Sequence, residues 1–304
     1  MTVDLSVTLG GLDLSNPVIL ASGVFGYGTE YCELLDVEKV GGIVSKALTI
    51  EQRWGNSPPR IAETPCGMLN SVGLENVGID AFIAEKLDKI RSLKTKVFVN
   101  VAGSSVDDYA AIVARLSGKD GIDAFELNVS CPNVKDGTVF GSDPDLTYRL
   151  VSHVRLETAL PLFVKLSANT ERVLQVASSA VEAGADGLSL INTLHGMGID
   201  VEQRKPLLGN LTGGLSGPAI RPVAVYHVYH VSKSVRVPVI GMGGIVNARD
   251  ALEFILAGAS AVQVGTAVFA DPKVPLLVVR GLKEYCERHR IERITDLVGG
   301  LEVE

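Results

Sequence analysis

The chain has 304 residues, a formal net charge of −7 and a pI near 5.4, which excludes a nucleic acid or an anionic membrane held by a basic patch. Hydrophobic residues make up 46% and charged residues 21%, with 32 glycines, which excludes a disordered chain and is typical of parallel strands buried on both faces. The length is typical of one α/β barrel, so we expect a single domain over residues 1–304.

The hydropathy pattern indicates neither a leader nor a membrane span. The start MTVDLSVTLGGLDL has no basic run before an apolar stretch, and no window of about 18 uninterrupted apolar residues occurs. We therefore expect a cytoplasmic protein. The cysteines at positions 32, 66, 131 and 286 lack zinc or iron–sulfur spacing, so no metal site is expected from this chain. Cys32, Cys66 and Cys286 are interpreted as small buried hydrophobes.

In chain order, the first predicted element is a hairpin at residues 3–16, whose alternating residues flank a Gly-Gly turn. We expect it to cover the closed end of the fold. Eight runs rich in β-branched residues follow, at residues 16–23, 41–48, 96–103, 124–131, 161–168, 187–193, 238–245 and 261–269. Helical patterns lie between most of them, beginning at Asp107, Asp143, Glu171 and Asn247.

Alternating strands and helices predict parallel pairing, and eight strands close a barrel. A doubly wound open sheet is the competing arrangement, but it normally has its phosphate-binding glycines after the first strand, whereas here they follow the last two. The sequence therefore favours a TIM (β/α)8 barrel with long βα-loop insertions. These insertions are residues 49–92 and 194–217, which are longer than a plain barrel needs and are candidate functional loops.

Polar residues close most of the predicted strands. Because active sites of barrels lie at the carboxyl ends of the strands, these side chains are expected to face one site. Two of them, Lys46 and Lys165, end otherwise apolar runs, so each needs an anionic partner or a cavity that receives an anion. No strand end carries an Asp or Glu placed as a general base or a Schiff-base partner would be.

Glycines follow the last two strands, at Gly243-Gly244 and Gly265-Thr266. Backbone amides that such glycines expose bind phosphate, and loops after strands seven and eight are its usual place in barrels. Gly217 is either a third close approach to the ligand or a plain turn glycine. Phosphate alone leaves a sugar phosphate and flavin mononucleotide (FMN) both open.

The remaining rim residues favour a planar ring. Asn70, Asn100, Asn128 and Asn192 carry both donors and acceptors, as a flavin or a pyrimidine-like substrate requires. Cys131 is the rim side chain suited to accept a proton once its thiol is deprotonated.

Together, ten segments resemble the class 1 dihydroorotate dehydrogenases, and within that class the catalytic subunit of the NAD-linked type. The resemblance covers essentially the whole chain. Its segments are ASGVFGYGTEY (21–31), SKALT (45–49), GNSPPRIAETPCGMLNSVGLEN (55–76), NVAG (100–103), ELNVSCPN (126–133), VKLSAN (164–169), INTLHGM (191–197), GGLSGPAIRP (213–222), GMGGI (241–245) and VGTA (264–267).

The resemblance implies an FMN-dependent oxidation of dihydroorotate to orotate in pyrimidine synthesis. It makes Cys131 the base that removes the C5 proton while a hydride passes from C6 to the flavin N5. The residues implied in substrate binding are Lys46, Asn70, Ser71, Val72, Gly73, Leu74, Asn128, Asn133, Asn192 and Thr193. Those implied in FMN binding are Ser22, Lys46, Ala47, Asn100, Asn128, Lys165, Ile191, Gly217, Gly243, Gly244, Gly265 and Thr266.

The resemblance also implies an electron path to NAD through a partner subunit. FAD and a 2Fe-2S cluster are expected only on that partner, which would join a homodimeric core to make a heterotetramer. The membrane-bound, quinone-linked class is disfavoured because its base is Ser, where this chain has Cys131. A fumarate-dependent class 1 homodimer, a related barrel with another substrate, and a flavin-binding barrel without catalysis remain as alternatives.

Overall fold

The chain forms a closed barrel of eight parallel strands in a computed structural model that describes residues 3–28, 30, 33–130 and 139–303. Each strand pairs with its neighbours along the chain, and the eighth pairs with the first. The strands are β1 (Val18–Leu20), β2 (Gly42–Val44), β3 (Lys96–Val101), β4 (Ala124–Asn128), β5 (Leu162–Lys165), β6 (Gly187–Leu190), β7 (Val239–Met242) and β8 (Ala261–Val264). The predicted barrel and all eight of its strands are confirmed.

The strands are buried on both faces, which explains their continuous apolar runs. Inside the barrel, Phe98 of β3 and Phe163 of β5 meet edge to face, with ring centroids 5.3 Å apart. Two residues further along the same strands lie Asn100 and Lys165, so the interior changes from apolar to polar towards the carboxyl ends.

Helices connect the strands and cover the outside of the barrel. They are α1 (Gly78–Ala81), α2 (Leu87–Arg91), α3 (Val106–Leu116), α4 (Pro144–Arg155), α5 (Val173–Glu182), α6 (Arg221–Ser234), α7 (Ala248–Leu256), α8 (Ala267–Ala270) and α9 (Val274–His289), with a π-helical turn (Phe82–Lys86) joining the first two. The side chains of Ser105, Asp143 and Asn247 cap α3, α4 and α7, so the predicted helix starts are correct to within two residues. In the described part of the chain, no helix has both the length and the apolar character needed to cross a bilayer.

The predicted N-terminal hairpin is present as the antiparallel pair Val7–Leu9 and Leu12–Leu14. Its turn at Gly10 lies against Asp186, just before β6, and Leu14 lies against Gly41, just before β2. Because both contacts precede strands, the hairpin covers the amino-terminal end of the barrel, as expected.

The two long insertions combine into one structure, which we call the cap sheet. It is a four-stranded antiparallel sheet of Ile61–Thr64, Gly67–Asn70, Gly213–Ser216 and Leu194–Gly196, in that order. The pairing of Asn70 with Gly214 joins the insertion after β2 to the insertion after β6. A short ribbon of Ile199–Asp200 and Lys205–Pro206 extends the second insertion.

Candidate functional site

A cavity of about 590 Å³ lies between the carboxyl ends of the barrel strands and the cap sheet. This volume falls in the range of small-molecule and cofactor sites. Its floor is made by residues that end or follow barrel strands, such as Lys165 and Gly265, and its roof by cap residues such as Met68 and Ser216.

The cavity brings together nearly all of the predicted site residues. Its lining includes Ser22, Lys46, Ala47, Asn70, Ser71, Val72, Gly73, Leu74, Asn128, Lys165, Ile191, Asn192, Thr193, Gly217, Gly243, Gly244, Gly265 and Thr266. Asn100 is not part of the wall: it is buried in the barrel beneath it. Cys131 and Asn133 lie outside the described residues, and the roles assigned to all of these residues stay predictions.

Lys46 lines the cavity beside a carboxylate. Its Nζ lies 3.5 Å from Oε2 of Glu75, and the same oxygen lies 3.2 Å from Nη1 of Arg60. Arg60 in turn donates to the carbonyl oxygens of Trp54 and Asn56, at 2.8 and 2.5 Å, which fixes the loop before the cap sheet. The positive charge of Lys46 is therefore divided between Glu75 and the cavity.

Glycines form the wall after the last barrel strands. Gly243 and Gly244 have φ values of +129° and +74°, which other residues rarely adopt. A Cβ on Gly244 would lie 2.7 Å from the carbonyl oxygen of Gly217, so these two loops require glycine for their close approach. The loops at Gly217 and at Gly243 and Gly244, which were predicted to bind the ligand, are therefore adjacent in space.

A buried ion pair supports this glycine loop from behind. Asp250 of α7 accepts a hydrogen bond from the backbone N–H of Val246 at 2.9 Å and another from Arg221 Nη1 at 2.5 Å. Since Arg221 begins α6 and Val246 follows β7, Asp250 fixes the loop between β7 and α7 to the start of the preceding helix.

Amide and hydroxyl groups cluster on the opposite wall. Asn192 Nδ2 donates to Ser130 Oγ at 2.9 Å and lies 3.3 Å from Asn128 Oδ1. Asn192 Oδ1 accepts from the N–H of Thr193 at 2.9 Å, which fixes the orientation of this amide. The cluster gives the cavity a wall of neutral donors and acceptors, and Ser130 immediately precedes Cys131 in the chain.

Glu126 of β4 lies at the centre of the barrel and is 0% exposed. It accepts hydrogen bonds from Asn100 Nδ2 at 2.7 Å, Gln263 Nε2 at 2.7 Å and Ser189 Oγ at 2.8 Å. Lys165 Nζ lies 4.0 Å from its Oε1, and this lysine is only 7% exposed. A buried carboxylate is costly unless it is paired, and here three donors and one cation surround it.

Sequence reasoning missed both Glu126 and Gln263. Each was visible as a polar residue inside an apolar run, in AFELN and in AVQV. A Glu at the middle of a predicted parallel strand was itself a signal, because such strands are buried on both faces. Gln263 lines the cavity, and Glu126 lies directly below it.

The cysteines fit the expectation only in part. Cys286 is buried, as predicted, whereas Cys66 is exposed in the turn between the first two cap strands, so its interpretation as a buried hydrophobe was wrong. A tight turn between two strands leaves its side chain facing solvent. Cys32 lies outside the described residues.

Comparisons with known proteins agree on one family. The family model "Dihydroorotate dehydrogenase" matches residues 4–286. Proteins named dihydroorotate dehydrogenase B (NAD(+)), catalytic subunit, are similar to nearly the whole chain. The protein from Geotalea uraniireducens is 53% identical over 299 residues (98% of each chain), that from Citrifermentans bemidjiense 51% over 301 residues (99% of each), and that from Bacteroides thetaiotaomicron 48% over 301 residues (99% of each).

Proposed function

Because the chain belongs to the dihydroorotate dehydrogenase family, we propose that it oxidises dihydroorotate to orotate in pyrimidine biosynthesis, with FMN as its cofactor. The observation that carries the proposal is the cavity beneath the cap sheet, whose lining contains most of the residues expected at the cofactor and at the substrate. A sugar-phosphate enzyme would have no use for the neutral asparagine wall beside two lysines.

The described residues fit FMN. Gly217, Gly243, Gly244 and Gly265 line one part of the cavity together, and loops of this kind leave backbone N–H groups open to a phosphate. Gln263, in the cavity wall, has a buried acceptor, Oε1, without a hydrogen-bond partner among the described residues, as expected where a ring N–H completes the site. Lys165 supplies a buried cation at the same level of the barrel.

When bound, FMN would supply a two-electron acceptor for the hydride that leaves C6 of dihydroorotate. The residues of the chain would hold the substrate against it. Lys46 and the segment Asn70–Leu74 bind one side of the substrate, and Asn128, Asn133, Asn192 and Thr193 bind the other. Lys165 would supply a positive charge beside the bound cofactor. The cap sheet, which supplies part of this lining, excludes water from the reacting atoms.

Cys131 acts as the base in this proposal. Its thiolate accepts the C5 proton, and the cluster of Asn128, Ser130 and Asn192, of which Ser130 immediately precedes Cys131 in the chain, orients the ring. A thiol is suited to this step because its pKa can be brought near neutral pH by its surroundings.

We further propose that the electrons reach NAD through a separate subunit. The relatives are named as catalytic subunits of an NAD(+) enzyme, which supports a partner. FAD and a 2Fe-2S cluster on that partner, a homodimeric catalytic core and a heterotetramer complete this proposal. A cytoplasmic location suits NAD, which is a water-soluble acceptor. The fumarate-dependent homodimer is the alternative, and it is tested by the choice of acceptor.

The first experiment is the visible spectrum of the purified chain, recorded anaerobically before and after dihydroorotate is added. A yellow protein that bleaches supports the cofactor and the first half-reaction. Fumarate or NAD, offered with and without the co-expressed partner, then identifies the acceptor. A yellow protein that stays oxidised would contradict dihydroorotate as the substrate. A protein that cannot be loaded with FMN would contradict the whole proposal.

Substitution of Cys131 tests the mechanism. We expect Cys131→Ala to keep bound FMN but to lose the rate of flavin reduction by dihydroorotate about 100-fold or more, and Cys131→Ser to retain part of it, since a hydroxyl is a weaker base here. Stopped-flow absorbance measures the rate. Cys66→Ala is the matched control, because that thiol is exposed in the cap turn. Full activity of Cys131→Ala would remove this residue from the mechanism.

A further inference from the structure

The polar cluster inside the barrel has Glu126 at its centre and is not explained by packing. A carboxylate only accepts hydrogen bonds, whereas a primary amide donates from its nitrogen and accepts at its oxygen. Asn100 and Gln263 both direct their NH₂ groups at Glu126, at 2.7 Å each. Their oxygens must therefore point away from the carboxylate.

The hydrogen bonding of these two amide oxygens requires an explanation. Asn100 Oδ1 and Gln263 Oε1 are buried, and within the described ranges neither has a hydrogen-bond partner. Buried acceptors are normally satisfied, and a group left open beside a cavity indicates a donor on the ligand. Gln263 belongs to the cavity wall, whereas Asn100 lies beneath it, so of the two amides it is Gln263 that lies next to a ligand bound there.

The charge of the cluster adds a second effect. Lys165 Nζ lies 4.0 Å from Glu126 Oε1, and both groups are almost completely buried. Since the separation exceeds a direct hydrogen bond, the ammonium group keeps its donors for the cavity while the carboxylate balances its charge.

We propose that Glu126 is a positioning residue for the flavin, an inference that rests on the proposed function. It fixes the amide of Gln263 so that its oxygen accepts the ring N–H of oxidised flavin at N3, while Asn100, beneath the cavity wall, completes the hydrogen bonds to the carboxylate. It also holds the Lys165 ammonium group beside the ring and moderates its charge. Gln263 thereby becomes a cofactor-contacting residue in addition to those predicted from the sequence.

The test compares Glu126→Gln with the wild type, using FMN and N3-methyl-FMN as probes. A Gln offers one acceptor and one NH₂ group where Glu126 offers two acceptors, so at least one neighbouring amide must turn its oxygen away from the cavity. We expect the preference for FMN over N3-methyl-FMN to fall about tenfold, which corresponds to the loss of one hydrogen bond. The midpoint potential of bound FMN should move to more positive values, because Lys165 loses its balancing charge.

Asp123→Asn is the matched control. This residue precedes β4 by one position, and its carboxylate pairs with Lys96 at 3.0 Å at the opposite end of the barrel. The control should bind both flavins and show the same potential as the wild type. If Glu126→Gln matches this control in both measurements while the wild type binds FMN and is reduced by dihydroorotate, the inference is overturned and the proposed function stands.

Gln263→Met decides the question if Glu126→Gln does not fold. It keeps Glu126 and the side-chain volume but removes the acceptor oxygen. We expect it to lose the preference for FMN over N3-methyl-FMN. Wild-type preference in this variant would overturn the inference, whereas a wild type that fails to bind FMN would overturn the proposed function instead.

Discussion

At the residue scale, Lys46 shares its charge between the cavity and Glu75, whose carboxylate lies 3.5 Å away. Orotate is an anion, so Glu75 competes with it for the same cation. We expect Glu75→Gln to tighten orotate binding roughly two- to fivefold, the range that partly exposed ion pairs span. Titration of the protein with orotate, followed by the flavin absorbance, measures the dissociation constant.

Glu63→Gln is the control for that substitution. Glu63 is exposed on the first cap strand and does not line the cavity, so its removal changes net charge equally without changing the pairing of Lys46. Equal effects of the two variants would attribute the change to overall charge and contradict the sharing of Lys46.

The cysteines differ in reactivity because they differ in burial. Burial raises the pKa of the Cys286 thiol, and the charge of Asp296 adds to the effect, whereas Cys66 is exposed. We expect a thiol reagent at neutral pH to modify Cys66 in the native protein and Cys286 only after unfolding, because the thiolate is the reactive form. Peptide mass mapping distinguishes the two, and native labelling of Cys286 would contradict its burial.

The site residues at the carboxyl ends of the strands could be predicted because a barrel places all of these strand ends around one site. Glu126 and Gln263 were not, because a polar residue within a strand has no fixed meaning until the interior of the barrel is known. Only the register, which sets Asn100 beside Glu126, shows that their side chains meet. The orientation of two amides by one carboxylate is a property of contacts across three strands and leaves no local pattern.

At the scale of the elements, the cap sheet depends on the close pairing of its two central strands. A Cβ on Gly67 would lie 2.0 Å from the carbonyl oxygen of Ser216, which is backbone and cannot move alone. We expect Gly67→Ala to increase amide hydrogen exchange about tenfold or more in Gly67–Asn70 and Gly213–Ser216, and to weaken orotate binding while FMN is retained. Exchange followed by mass spectrometry gives both segments.

Gly196→Ala tests whether the effect is specific to that pairing. It lies in the same sheet, but its Cβ would come close only to the far end of the Leu69 side chain, at 2.7 Å, which can shift, and would make an ordinary contact with Leu215 Cβ at 3.5 Å. This control should exchange as the wild type does. If Gly67→Ala and Gly196→Ala showed similar protection from amide exchange, the pairing of the two central strands would not control how readily the cap sheet opens.

The barrel strands were predictable and the cap was not, for a physical reason. Buried parallel strands are continuous apolar runs, whereas the cap strands are short and mostly half-exposed, with the pattern of a loop. Their pairing joins residues about 144 positions apart, as the contact between Asn70 and Gly214 shows. No local pattern specifies such a partner.

At the scale of the whole molecule, nearly all of the hydrophobic core, apart from a small second cluster of Ala47 and Ala102, is one continuous cluster that extends from Val3 to Ile294. It includes the hairpin residues Leu9 and Leu14 as well as the barrel, while the cap strands contribute partly buried residues packed against it. We therefore propose that residues 1–304 form a single folding unit, as the length and composition led us to expect.

A chain that forms a single folding unit should unfold in a single thermal transition. Because the cap closes the cavity and has no separate core in the described part of the chain, loss of far-UV circular dichroism and release of FMN fluorescence should coincide. Removal of FMN should lower the melting temperature by roughly 5 °C relative to protein with a hundredfold excess of ligand over its dissociation constant, since such binding stabilises the native state by about 2.7 kcal/mol. Release of FMN well below the unfolding of the barrel would instead show that the cap opens as an independent unit.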